Sequence, residues 1–344
     1  MKRIAILSIL LLATAGTAQA QNIGIGKYAG EWMATGIGSR ALAMGGAYVA
    51  VANDVSGAYW NPASLMNTQY PELGLMHEQR FGGLLNFNYG GVAWPLSPRH
   101  TVALTVTRSG VDDIPDTRNA LIDLNGNGQL DPGERLDYSK ITSFSSADWA
   151  VYFSYATMFN PRMRAGVNLK LIQRSMGSNS AYGVGFDIGV LYDLTPQLRL
   201  GAAVQDVTTT LLAWDTGRND LISPTLKIGG AYMWDILGGT VTPAMDFDIM
   251  FENRQYASTA NLGPVSINPR LGIEYTYSKV VSVRAGMNDM KQLTFGAGFH
   301  LPKLYIDYAF GENPMAESLM KESSHRISLR LVLEEKRFAR AESR

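Results

Sequence analysis

The sequence predicts an all-β fold: a transmembrane antiparallel β-barrel of about fourteen strands with an N-terminal plug, or hatch, in its lumen. Three observations predict it. The chain opens on an export signal. A small, Gly/Ala-rich run from Gly38 to Ala63 follows, ending in Asn61-Pro62-Ala63. From residue 72 onward the chain reads as period-2 segments separated by turn signals.

Taken in order, residues 1–20 form a signal peptide. Lys2 and Arg3 supply the charged start, and the apolar stretch Ile4 to Ala13 is too short to span a bilayer. Ala18-Gln19-Ala20 fits the small-x-small cleavage rule, with Gln21 as the expected mature start. No other apolar run approaches the roughly 20 residues of a transmembrane helix. Residues 21–70 are expected to form the hatch. Its small residues, Gly45 and Gly46 among them, permit close packing inside a lumen, and Asn61, Pro62 and Ala63 are expected to set the turn into the first strand. Pro presets φ there, and Asn bonds its own backbone.

Residues 71–334 are read as the barrel, with strands near 72–79, 86–96, 100–110, 143–158, 162–175, 181–194, 198–208, 223–234, 239–252, 267–278, 280–288, 291–300, 303–310 and 324–334. An even number suits a single-chain bacterial barrel. Within strands the faces separate: Trp149, Phe153 and Tyr155 oppose Asp148, Tyr152 and Ser154, and Val167, Leu169 and Leu171 oppose Arg164, Asn168 and Lys170. A soluble barrel turns apolar side chains inward. Here the second face carries charges together with Gly, so apolar-out and polar-in is the better reading. Every second connection is a short turn, such as Asn160-Pro161-Arg162 or Leu301-Pro302, while 111–142, 209–222, 253–266 and 311–323 are longer. That asymmetry places both barrel ends in the periplasm and the long loops outside. Residues 335–344 are expected to be a charged periplasmic tail. Tyr89, Trp94, Tyr152, Tyr155, Tyr232, Trp234, Tyr275, Tyr277, Tyr305 and Tyr308 are read as interfacial girdles.

Composition narrows the function. Cysteine is absent, which excludes thiolate chemistry and a disulfide framework. Lys+Arg and Asp+Glu are both 30, so no net field favours nucleic acid. Lumen charges such as Arg164, Lys170, Asp246, Glu274, Arg284 and Arg326 look balanced, which favours structural pairing over a channel lining. Gly36-Ile-Gly38-Ser-Arg-Ala41 superficially fits a dinucleotide fingerprint, but no strand precedes it and no βαβ unit surrounds it. His77, His100, His300 and His325 form no metal-like pair and are read as strand-end or lumen residues. No nucleophile elbow occurs, so no enzyme activity and no catalytic residue is expected.

One motif stands apart. In the long outer loop, Asp123, Asn125, Asn127, Gln129, Asp131 and Glu134 fall at positions 1, 3, 5, 7, 9 and 12 of an EF-hand-like pattern, with Gly128 at position 6. Gln129 would offer its backbone carbonyl and Glu134 a bidentate carboxylate. Hard oxygen ligands suit Ca²⁺, and no amphipathic helix clearly flanks the loop, so an isolated calcium loop is expected.

Gly38-Ser-Arg-Ala-Leu-Ala-Met-Gly-Gly-Ala47, with Asn53-Asp54 and Trp60-Asn-Pro-Ala63, resembles the N-terminus of the PorV/PorQ family, which is related to the FadL-type outer-membrane transporters. Leu198 to Gln205, Arg284-Ala-Gly286, Phe295 to Phe299, Ile306 to Phe310 and His325 to Leu329 resemble its later strands. The resemblance implies a fourteen-stranded barrel with a hatch, in the outer membrane of a Gram-negative-type bacterium. It leaves two roles open: a type IX secretion-associated component that binds exported cargo at the cell surface, or a passive transporter of hydrophobic compounds. An open diffusion porin is a third, weaker reading. The implied partners are outer-membrane lipid and either secretion-system or cargo proteins or a lipophilic small molecule.

Overall fold

The computed structural model describes residues 23–25, 30–251, 254, 258–312 and 323–334. The predicted signal peptide and charged tail lie outside these residues.

Fourteen antiparallel staves close into one barrel. They are β1 (Glu72–Arg80), β2 (Leu85–Ser97), β3 (His100–Asp116), β4 (Thr142–Asn160), β5 (Met163–Met176), β6 (Asn179–Asp193) and β7 (Leu198–Gln205, resuming as Thr210–Trp214). Then come β8 (Asn219–Ile222, resuming as Thr225–Tyr232 and Trp234–Ile236), β9 (Gly239–Met250), β10 (Val265–Tyr277), β11 (Val281–Met287), β12 (Leu293–Leu301), β13 (Leu304–Glu312) and β14 (Ser323–Val332). Each stave pairs with the next, and β14 pairs back onto β1 from Glu72↔Val332 to Arg80↔Ser324. Closure leaves no open sheet edge, the condition for a sheet that crosses a bilayer. Among the described residues no helix is long and apolar enough to cross.

The alternation read from the sequence sets the two faces. Along β4, Trp149, Phe153 and Tyr155 are exposed while Ala150, Tyr152 and Ser154 are buried. Along β5, Val167, Leu169 and Leu171 point out while Arg164, Asn168 and Lys170 point in. An exposed apolar belt over a buried polar interior is the inverse of a soluble barrel. The hairpin turns are tight. Leu237 and Gly238 at φ 53° and 74° join β8 to β9, as the primed hairpin turns require.

The structure corrects the sequence reading at several points. Strand pairing continues into two segments read as loop: β3 runs on to Asp116, and Thr210–Trp214 pairs with Asn219–Ile222. A bulge with Asp206 and Thr209 at positive φ separates the two parts of β7. Tyr89 and Tyr152 are buried against the lumen contents and belong to no girdle; Tyr305 also faces inward, under the guanidinium of Arg330 at 3.9 Å. His77 and His325 instead lie on the outward face, His77 beside Asn88 and His325 beside Tyr308, each at 2.7 Å. In each case strand parity, not residue type, decides the side.

Candidate functional site

The lumen is filled by residues Ile37 to Met66, nearly all of them buried. This segment folds as short helices α1 (Glu31–Ala34), α2 (Ser39–Ala43) and α3 (Gly57–Trp60), then a 3-10 helix, Pro62–Asn67. Glycines end its turns. After α2, the Gly46 N–H reaches the Ala41 carbonyl and the Gly45 N–H the Leu42 carbonyl, both at 2.9 Å, a Schellman closure with Gly45 at φ 64°. Asn61 is fully buried. Its amide donates to the carbonyls of Val49 and Val190, each at 3.1 Å, and its Oδ1 accepts from the Ala63 N–H to cap the 3-10 helix. Pro62 occupies the first position of that helix, where a missing N–H costs nothing. The corner therefore ties the hatch to β6 rather than simply leading into β1.

Wall glycines seat this segment. A Cβ on Gly166 would collide with the backbone of Pro62 and Ala63, one on Gly189 with the Asn61 side chain, and one on Gly272 or Gly286 with Met44 or Gly45. From the other side, a Cβ on Gly45 would lie 2.5 Å from the Met287 carbonyl oxygen. Hatch and wall meet backbone to backbone, and side chains from inward wall positions satisfy the hatch's polar groups. Asp246 Oδ2 accepts the N–H groups of Tyr48 and Val49 at 2.6 and 2.8 Å. Asn168 donates to the Ala58 carbonyl at 2.7 Å, Gln205 to that of Tyr59 at 2.9 Å, and Thr294 to that of Ala43 at 3.2 Å.

An ionic chain completes the seat. Arg40 of α2 grips Glu274 of β10 through Nε and Nη2, both at 2.7 Å. Glu274 also accepts Arg284 Nε at 2.5 Å, and Arg284 Nη1 reaches Asp307 at 2.6 Å. Elsewhere in the wall Lys170 pairs with Asp187 and Asp206, Lys227 and Arg270 share Asp248, and Glu78 takes Arg326. These charges are thus joined as mixed-sign pairs, while Asp246 holds hatch N–H groups instead.

Above the hatch, at the long-loop end, lies a cavity of about 610 Å³. Its floor is Leu42, Gly45, Gly46 and Trp60. Arg80, Arg270, Lys291 and Arg326 stand on its walls. The Trp60 indole donates to the Ile37 carbonyl at 2.8 Å and meets Tyr48 and Tyr59 edge-on, so the floor is held rigidly. No signal in strand alternation pointed to this cavity, because its walls come from staves far apart in sequence.

The outer-loop motif is solvent-exposed and closed at its base by a two-stranded ribbon, Leu121–Ile122 with Arg135–Leu136. The Asp123 carboxylate accepts N–H groups from Gly128 and Gly126 at 2.7 and 2.6 Å, and these bonds hold it below the ordinary aspartate range. Glu134 reaches back to the N–H groups of Leu124 and Asp131. Asn125 and Asn127 each donate their amide to Asp131 Oδ2 at 2.7 Å, while their Oδ1 atoms accept backbone N–H groups. Gln129 donates its N–H to Asn127. Among the described residues no three His, Asp or Glu side chains converge as a metal-binding group. The loop's donors are all hard oxygens, yet a cation at Asp131 would require the two amides to turn their oxygens inward.

No protein-family model matches the chain, and no curated protein sequence matches it. Solved structures do share its fold. The Ralstonia pickettii toluene transporter TbuX aligns with a TM-score of 0.58 and 12% identity, covering 86% of this chain and 98% of its own. The CymD monoaromatic hydrocarbon channel aligns at 0.59 and 16%, covering 88% and 98%. The P. putida toluene transporter TodX aligns at 0.52 and 13%, covering 86% and 97%. What these alignments share with the chain is the fold, a closed antiparallel β-barrel.

Proposed function

We propose that the chain is a passive outer-membrane channel for small lipophilic molecules. What carries the reading is likeness of fold over nearly the whole length to proteins described as toluene transporters and monoaromatic hydrocarbon channels. A lumen filled by the chain's own N-terminal segment supports it and argues against an open diffusion porin, which needs a continuous water path. Movement down a gradient past the hatch uses no catalytic step. The test is initial uptake of labelled toluene and of labelled benzoate by a Gram-negative host with an intact lipopolysaccharide leaflet, with and without the protein. Faster uptake of at least one is expected; equal rates for both would sink the reading.

The resemblance of the N-terminal motif also supports a secretion-associated reading, in which exported cargo engages the outer face. It rests on the sequence resemblance alone, of which that motif is the most specific part. Deletion in the native cell that traps secreted cargo while leaving aromatic uptake intact would favour it over transport. For the outer loop we propose Ca²⁺ binding, with Asp123, Asp131 and Glu134 as the charged ligands. Calorimetry that detects no Ca²⁺ binding at millimolar concentration would exclude it.

A further inference from the structure

We propose that the cavity above the hatch takes a compact organic anion with an apolar body, an aromatic carboxylate being the simplest, rather than a neutral hydrocarbon or a long-chain amphiphile. The inference rests on the channel reading and specifies its ligand.

The charge arithmetic of the walls comes first. Glu78 is fully buried and serves two guanidiniums, Arg326 at 2.5 Å and Arg80 at 2.9 Å. Asp248 likewise serves two cations, Lys227 and Arg270, both at 2.8 Å. The two carboxylates on the cavity surface are already engaged: Glu31 holds Arg254 at 2.7 Å and Asp289 holds Arg270 at 3.0 Å. Lys291, exposed in the β11–β12 connection, has no ion-pair partner among the described residues. Arg80 uses its Nε on Glu78 and has no bond from its terminal nitrogens to any described residue. An excess of positive charge in a partly dehydrated cavity, with guanidinium and ammonium donors unspent, recognises a carboxylate. A neutral hydrocarbon would desolvate those donors without pairing them.

The floor supplies the second half of the selectivity. Leu42 and the edge of Trp60 make a short apolar base, with Met290 at the mouth. The volume lies in the ordinary range for a small-molecule site. At Gly46 the hatch packs closely against the cationic wall: a Cβ there would lie 2.6 Å from Arg270 Nη1. A ring bearing one anionic group satisfies both halves.

The test is calorimetry on the full-length, detergent-solubilised protein with benzoate, toluene, palmitate and inorganic phosphate, beside the uptake assay. Benzoate is expected to bind saturably, and about tenfold or more weaker in the Arg80→Gln/Lys291→Gln variant. That variant should keep the wild-type circular dichroism and heat-modifiable gel mobility, since Lys291 is exposed and buried Glu78 keeps Arg326 at 2.5 Å. Equal binding of phosphate would reduce the site to a bare anion site, and tighter binding of palmitate would make it a long-chain site; either overturns the proposal. So does toluene binding that matches benzoate and ignores the double substitution. Absence of benzoate binding with toluene uptake intact overturns this inference and leaves the channel reading standing. Absence of uptake for both compounds removes the channel reading itself.

Discussion

Replacing Glu274 by alanine should unlatch the hatch. The Glu274 carboxylate accepts Nε and Nη2 of Arg40 at 2.7 Å and Nε of Arg284 at 2.5 Å. Arg40 belongs to the hatch; Glu274 and Arg284 belong to the wall. After the substitution Arg284 keeps Asp307 at 2.6 Å, while Arg40 keeps only hatch partners, Asn53 at 2.6 Å and Tyr48 at 3.2 Å. The ionic tie between hatch and wall at this point is lost. Breaking one side of a buried pair costs about 3–5 kcal/mol. Because Asp307 retains Arg284 and the Arg40 side chain is 15% accessible, the low end applies, about 3 kcal/mol. If that energy falls on the seated state alone, the hatch-opening equilibrium rises roughly 100-fold. Single-channel recording in planar bilayers reads open dwell fraction, and hydrogen exchange reads protection of the Ser39–Ala43 amides. Arg40→Ala should behave alike, and the double substitution should add little more, giving a coupling of about 3 kcal/mol in the cycle. Wild-type dwell fractions and wild-type amide protection in Glu274→Ala would refute the latch.

Other expectations follow from the same contacts. Asp246→Ala strands two buried hatch N–H groups, those of Tyr48 and Val49, at about 1–3 kcal/mol each, and should expose the hatch to added protease at lower denaturant than wild type. Gly286→Val places side-chain carbon where the Met44–Gly45 backbone sits, so it should raise conductance while leaving the outward face unchanged; a crystal structure with an undisplaced hatch would contradict this. Asn61→Ala removes bonds to Val49, Val190 and Ala63, about 1 kcal/mol apiece, and should lower the thermal midpoint seen by gel mobility. In the outer loop, the lowered pKa of Asp123 means its stabilising bonds persist above the ordinary aspartate value and are lost as pH falls through the depressed one. NMR of the loop amides should therefore show Gly126 and Gly128 losing order only in strong acid; loss of order near neutral pH would contradict that.

The wall was legible because its rule is local. Residue i and residue i+2 share a face whatever the rest of the chain does, so Val167 and Lys170 could be placed on opposite sides before any partner was known. Turn residues and strand parity then implied closure. The same rule exposes where residue type misled. Tyr89, Tyr152 and Tyr305 read as girdle aromatics but have inward parity, and His77, read as a strand-end or lumen residue, sits mid-strand and points out, whereas His325 does lie at a strand end. The mixed signs of the inward charges were visible as a composition. Which acid meets which base was not, since Arg40 and Glu274 lie 234 residues apart.

By itself, the sequence determined a barrel with alternating faces, an N-terminal run rich in small residues, and a loop of regularly spaced oxygens. These are properties of short windows, where covalent geometry and period dictate the outcome. Only the tertiary structure decided how the hatch sits. Wall glycines give its backbone room, Asp246 and Glu274 hold it, and the cations above it gather around a short apolar floor. Those arrangements depend on curvature and stagger, which bring distant staves around one axis, and no local pattern encodes which inward side chains then face each other across the lumen.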